Sequence, residues 1–141
     1  MFHHEAAVIR HRLSCCRRGA ATVEFAIILP VLVSLTFGVL EVTNAIYLQQ
    51  SLKICAYEGA RVALQPSATK ANVEATCNRL LAVRRVRNAT ITVTPANFEV
   101  QPYGTDIEVT ISARLADNLI SPAFILQDRR LTASVVMMKE Q

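Results

Sequence analysis

The sequence predicts an α+β fold: a long N-terminal transmembrane helix continuing into an amphipathic helix, a second short helix, and an antiparallel sheet of three or four strands. Three observations predict it. Residues 20–40 form an apolar run, residues 42–55 and 73–81 carry apolar side chains at helical spacing, and from residue 89 the apolar period becomes two. Helical segments followed by alternating ones, rather than interleaved with them, are the pattern of α+β chains. The length of 141 residues leaves room for one ordinary domain beside the span.

The apolar run reads AATVEFAIILPVLVSLTFGVL, and Glu24 is its only charge. As a helix it rises about 31 Å, which matches the roughly 30 Å hydrocarbon core of a bilayer. A soluble protein would need a large surrounding core to bury such a helix, and the rest of the chain cannot easily supply one. The hydrophobic content of 52% and mean hydropathy of +0.30 are high for a soluble domain, and this run concentrates the excess.

Charge orients the span. Arg10, Arg12, Arg17 and Arg18 stand against Glu5 in residues 1–19, so most of the formal charge of +4 precedes the apolar run. Arginines packed there hold that end in the cytoplasm. The expected organisation is a basic cytoplasmic leader (1–19), a transmembrane helix (20–46) and an extracytoplasmic α+β domain (47–141). Beyond the leader the charge is nearly balanced, with no basic stripe interleaved with aromatics, which argues against a nucleic-acid partner. Arg84, Arg85 and Arg87 form a small cluster, expected to be a solvated helix end. A cleaved secretory signal fits poorly, because the apolar run is long and Thr43-Asn44-Ala45 is a weak cleavage site.

Past Leu40 the helix turns amphipathic, with Val42, Ala45, Ile46, Leu48, Leu52 and Cys55 recurring at spacings of two to four between polar residues, and Gln65-Pro66-Ser67 ends it near Leu64. A second helix begins near Thr69, capped by Ser67 or Thr69, and its stripe is Val73, Cys77, Leu80 and Leu81. Cys77 thus faces inward, toward Cys55 on the preceding helix. On the oxidising side of a membrane the pair is expected to form a disulfide, with two buried free thiols as the alternative. The bridge would contribute about 3 kcal/mol. Cys15 and Cys16 precede the apolar run, the wrong order for a lipid-attachment cysteine, and read as ordinary cytoplasmic thiols.

Residues 90–94 and 106–115 alternate as strands, 98–100 is a shorter candidate, and a last strand runs from 131 to about 139. Residues 116–130 read as a loop with a short helical turn. Its apolar residues Phe124, Ile125 and Leu126 are expected to lie buried under the sheet, or to form a contact patch if the domain binds a partner.

Catalytic signatures are missing. His3, His4 and His11 all lie in the leader, which leaves no histidine for an outer metal site or dyad. The chain has four glycines and no phosphate loop, and its acidic residues are scattered. No enzyme activity, cofactor, metal or small-molecule substrate is expected. Asn88-Ala89-Thr90 matches a glycosylation pattern too short to carry weight.

Glu24 is the most telling residue. A carboxylate one turn into a membrane helix costs about 1–3 kcal/mol and calls for a partner. A cut after Gly19 would create an α-amine on Ala20, one helical turn from Glu24 and at the positive end of the helix dipole. In an assembly the carboxylate would meet a neighbour's amine instead. A glutamate that snorkels to the headgroups explains the residue equally well.

Three stretches then stand together: Arg18-Gly19-Ala20-Ala21-Thr22-Val23-Glu24-Phe25-Ala26; Leu29-Pro30-Val31-Leu32 followed by Phe37-Gly38-Val39-Leu40-Glu41; and Glu58-Gly59-Ala60-Arg61-Val62-Ala63. This order resembles type IV prepilins, and more narrowly the TadE-like pseudopilins of the tight-adherence (Flp pilus) system, over residues 17–64. The resemblance implies cleavage between Gly19 and Ala20 by a prepilin peptidase. It gives Glu24 to processing or subunit packing and has Phe25 complete the recognition site, beside the topology role that charge already gives Arg17 and Arg18. It also implies a bacterial inner-membrane protein that helps assemble an adhesive pilus, with other pilin-like subunits and Tad assembly proteins as partners. The family's major pilin is far shorter, so a folded outer domain marks an accessory subunit. The rival is an uncleaved single-pass anchor that presents a protein-binding domain.

Overall fold

A computed structural model describes residues 3–119 and 128–140, with side chains from residue 19 onward. The elements are α1 (His3–Ala63), α2 (Lys70–Val83), β1 (Thr90–Thr94), β2 (Asp106–Arg114) and β3 (Arg130–Met138), with 3-10 turns at Phe98–Val100 and Ala116–Asn118. The fold class is α+β, as the change of apolar period predicts. The chain divides into two units, residues 1–39 and 40–141.

In the first unit the apolar run is helical throughout. An 18-residue window reaches a mean hydropathy of 2.3, none of it buried. A helix of this kind fits a single-pass membrane protein. Ser34 Oγ and Thr36 Oγ1 donate to the carbonyls of Pro30 and Leu32, each at 2.8 Å. These hydroxyls are therefore satisfied within the helix.

In the second unit α1 buries Leu48, Leu52, Cys55, Ala56, Ala60 and Ala63, a stripe at steps of one, three and four residues. α2 adds Val73, Cys77 and Leu81, and Thr69 caps it by accepting from the Asn72 amide. The antiparallel sheet has the order β1-β2-β3. Central β2 buries every second residue, Ile107, Val109, Ile111 and Ala113, and Val109 pairs with Val93 on one side and Val135 on the other. Helices and sheet thus enclose one core around β2, completed by Phe98, Leu115 and Ala133.

Two expectations need correction. Val42 and Ile46 do not belong to the buried stripe; they are 52% and 53% exposed, while Glu41 is buried at 4%. Alternative faces of an apolar helix cannot be told apart by composition, and only the sheet decides which one is covered. Residues 98–100 are also not a strand. Pro95 and Pro102 bracket them closely, and the amides of Phe98, Val100 and Gln101 close three-residue turns onto Pro95, Asn97 and Phe98. The turn carries Phe98 into the core. The turn expected within 116–130 is present at Ala116–Asn118, while Phe124, Ile125 and Leu126 lie outside the described residues.

Candidate functional site

The segment around the Gly19–Ala20 bond is helical on both sides, because α1 begins at His3. Arg17 and Arg18 belong to this helix, and their side chains fall outside the described part. Ala20, Glu24 and Phe25 are exposed. A Cβ added at Gly19 would meet nothing within 4 Å among the described residues. Glycine in a helix interior costs about 1 kcal/mol relative to alanine, and no packing among the described residues recovers that cost. Packing among the described residues therefore gives no reason for glycine at this position.

The second motif behaves in the opposite way. Gly59 lies where α1, α2 and β2 converge. An added Cβ would sit 2.5 Å from Cys77 Sγ, 3.3 Å from Val109 Cγ1 and 3.6 Å from Val73 Cγ1. Only a residue without a side chain permits this approach. Ala60 and Ala63 continue the small-residue seam, and Glu58 and Arg61 pair on the exposed side at 3.8 Å. Motif residues 58–63 are thus accounted for by internal packing.

Cys55 and Cys77 meet as their helical spacing predicts, but the structure holds them as free, buried thiols rather than as a bridge. Cys77 Sγ donates to the Cys55 carbonyl at 3.6 Å. Burial pushes the Cys77 thiol up to about 11, helped by the neighbouring Cys55 and Glu74. Burial also raises Cys55, partly offset by Arg84. Both are neutral near pH 7 and poor nucleophiles once folded.

Sequence reasoning missed the groups that fasten the sheet to the turns. Lys139 Nζ donates to the carbonyls of Phe98, Glu99 and Gln101 at 3.3, 3.3 and 3.0 Å. The Glu99 carboxylate accepts from the Lys70 amide at 2.8 Å, at the positive end of α2. No short-range signal marks these pairs, whose members lie tens of residues apart. Among the described residues no group of three or more His, Cys, Asp or Glu side chains is placed to hold a metal.

Residues 19–61 match the model of a family described as TadE-like protein. That match covers the second stretch in full, the first from Gly19 onward and the third through Arg61. No characterised protein and no solved structure gives a significant match.

Proposed function

Taking the TadE-like segment at residues 19–61 as the premise, we infer that the chain is a minor pilin-like subunit supporting assembly of an adhesive Flp/Tad-type pilus. It sits in the bacterial cytoplasmic membrane with its N-terminus inside and its α+β domain outside. A prepilin peptidase cuts it between Gly19 and Ala20, and it acts as that enzyme's substrate with no catalysis of its own. The observation that carries this reading is the contrast between the two glycines: Gly59 is required by packing, whereas nothing among the described residues requires Gly19. Glu24 then pairs with the new α-amine of Ala20 or with a neighbour's amine, which offsets the cost of placing a carboxylate in the membrane. Phe25 completes the recognised sequence, and the exposed apolar side chains of the span pack against lipid and other pilin-like helices.

One observation favours the uncleaved anchor. The Gly19–Ala20 bond lies inside α1, and an enzyme must unwind a turn to reach it. Intact mass and N-terminal sequence of the protein purified from its own host's membranes decide between the two. An N-terminus at Ala20 is expected, and Gly19→Val should abolish it. A wild-type chain still carrying its leader would overturn the assembly reading and leave a single-pass anchor.

A further inference from the structure

The arginine cluster at the end of α2 is more than a solvated helix end. Arg84, Arg85 and Arg87 line a cleft of about 430 Å³ together with Asn44 and Tyr47 of α1 and Asp117 of the turn after β2. The loop that carries them is held in place. Arg85 and Asn88 adopt left-handed backbone conformations, with φ of 56° and 52°. For residues other than glycine such a conformation costs about 1 kcal/mol and persists only where the surroundings fix it. Here Asn118 does so: its Oδ1 accepts from the Arg87 amide at 2.6 Å, and its Nδ2 donates to the Arg87 carbonyl at 3.1 Å. Asp117 is occupied with Asn88 Nδ2 at 3.1 Å. The ion pairs Arg61–Glu58 and Lys70–Glu74 of the described residues use none of the three guanidinium groups.

The position along α1 says what such a cleft meets. Asn44 and Tyr47 follow the last residue of the apolar run, Leu40, by about 6 and 10 Å of helix rise. The polar layer of a bilayer extends about 5–8 Å beyond the hydrocarbon on each side, so Asn44 falls within it and Tyr47 just past its outer edge. Planar guanidinium groups there match a phosphate diester through paired N–H donors. We propose that the Arg84–Arg85–Arg87 cleft binds the phosphodiester of an anionic phospholipid headgroup at the membrane surface where α1 emerges. This site fixes the depth and rotation of the domain against the bilayer. The inference rests on the membrane-spanning reading of α1 and is independent of peptidase processing.

The test is native mass spectrometry of the full chain in detergent, titrated with phosphatidylglycerol and with phosphatidylcholine. The wild-type chain should bind phosphatidylglycerol more tightly, by roughly fivefold for each guanidinium engaged. Substituting all three arginines (R84Q, R85Q and R87Q together) should bring the ratio close to one, whereas Arg61→Gln and Arg79→Gln should leave it unchanged. Protection of the Cys55 and Cys77 thiols reports whether each variant is folded. If the triple variant exposes them, exposed Arg85→Gln alone should still lower the preference about fivefold. A preference that survives in folded variants, or falls equally in the two controls, would overturn the site. Displacement of phosphatidylglycerol by equimolar inorganic phosphate would identify a free-phosphate site and overturn the lipid assignment. Alkaline extraction of membranes separates the premise from the inference. A chain released as soluble protein refutes the span, whereas a retained chain without lipid preference refutes this site alone.

Discussion

Replacing Gly59 with alanine probes the close approach of α1 to α2 and β2, and opposing effects set its size. Non-bonded heavy atoms rest about 3.5–4.0 Å apart, so an added Cβ at 2.5 Å from Cys77 Sγ is short by at least about 1 Å. Cys77 cannot swing into solvent, because it is fully buried and its thiol is directed at the Cys55 carbonyl. Val109 and Val73 close off the other directions, so α2 itself must move. Overpacking of this kind costs about 1–3 kcal/mol, and contact with two other elements places it in the upper part of that range. Alanine returns about 1 kcal/mol through its better helix propensity. The expected net loss is therefore about 1–2 kcal/mol.

A double-mutant cycle isolates the contact. Cys77→Ala alone should cost about 1 kcal/mol as a small core truncation, but it removes the sulfur that the new methyl strikes. The double variant should then lie closer to wild type than the sum of the singles by at least about 1 kcal/mol. Cys55 supplies the assay in all four proteins. In a background with Cys15→Ser and Cys16→Ser, its labelling rate in increasing urea reports opening of the core. An alanine variant as stable as wild type, or an additive cycle, would refute the close packing of α1 on α2 and β2.

Other predictions test separate parts of the structure. Lys139→Met should cost about 1–3 kcal/mol by leaving three carbonyls without their shared donor, and should speed hydrogen exchange at the Phe98 and Gln101 amides. Ser51 is buried and its hydroxyl has no hydrogen-bond partner among the described residues, so Ser51→Ala should stabilise the domain by up to about 1 kcal/mol, read as a higher urea midpoint. Denaturation without reductant should leave Cys55 and Cys77 both alkylatable, which gives two thiols in a chain cut after Gly19 and four in an uncut one; two fewer in either form would mean that the pair had been bridged. Stability should fall between about pH 9 and 11. An unfolded thiol ionises first while folded Cys77 keeps its proton up to about 11, so the contribution is full below pH 9 and is lost as pH rises through the folded value. The slope attributable to Cys77 is at most about 1.4 kcal/mol per pH unit, and its absence in Cys77→Ala would assign it.

Local rules made much of this fold legible. The Thr69 cap, the alternation of 90–94 and 106–115 and the break at Gln65-Pro66-Ser67 are short-range signals, and each element lies where its signal predicts. What failed depended on distant residues. Phe98 sits in a stretch that passes for a strand, yet Lys139 gathers its neighbouring carbonyls from forty residues away. The buried face of α1 was misjudged at Val42 and Ile46 because apolar residues surround the helix on several sides there. The meeting of Cys55 and Cys77 was readable from helical periodicity, whereas their oxidation state is not something spacing fixes. The arginine cleft was invisible because Asn44 and Tyr47 reach it from another helix.

The TadE-like match covers one helix, yet the structure assigns its two halves to different causes. From Leu48 to Ala60 the stripe facing the core is buried to the last side chain, and Gly59 has a steric reason to be glycine. A chain with this sheet needs those residues whatever it does. From Gly19 to Leu40 the situation is reversed. Val23, Phe25, Ile27, Ile28 and Val31 are each more than half exposed, and Gly19 has open space where a side chain would go. Lipid explains apolarity in that stretch, but it does not explain a glycine, a glutamate and a phenylalanine at fixed steps, because lipid tails recognise no sequence. Under the proposed assembly role, the reader of Gly19, Glu24 and Phe25 is a protein surface. The two candidates are a peptidase that reads the segment once and a neighbouring helix that reads it permanently. The two are separable at Glu24: Glu24→Gln keeps the size and hydrogen-bonding reach of the side chain but cannot pair with an amine. Loss of assembly with normal cleavage at Gly19 would assign the carboxylate to the neighbour, and loss of cleavage would assign it to the peptidase.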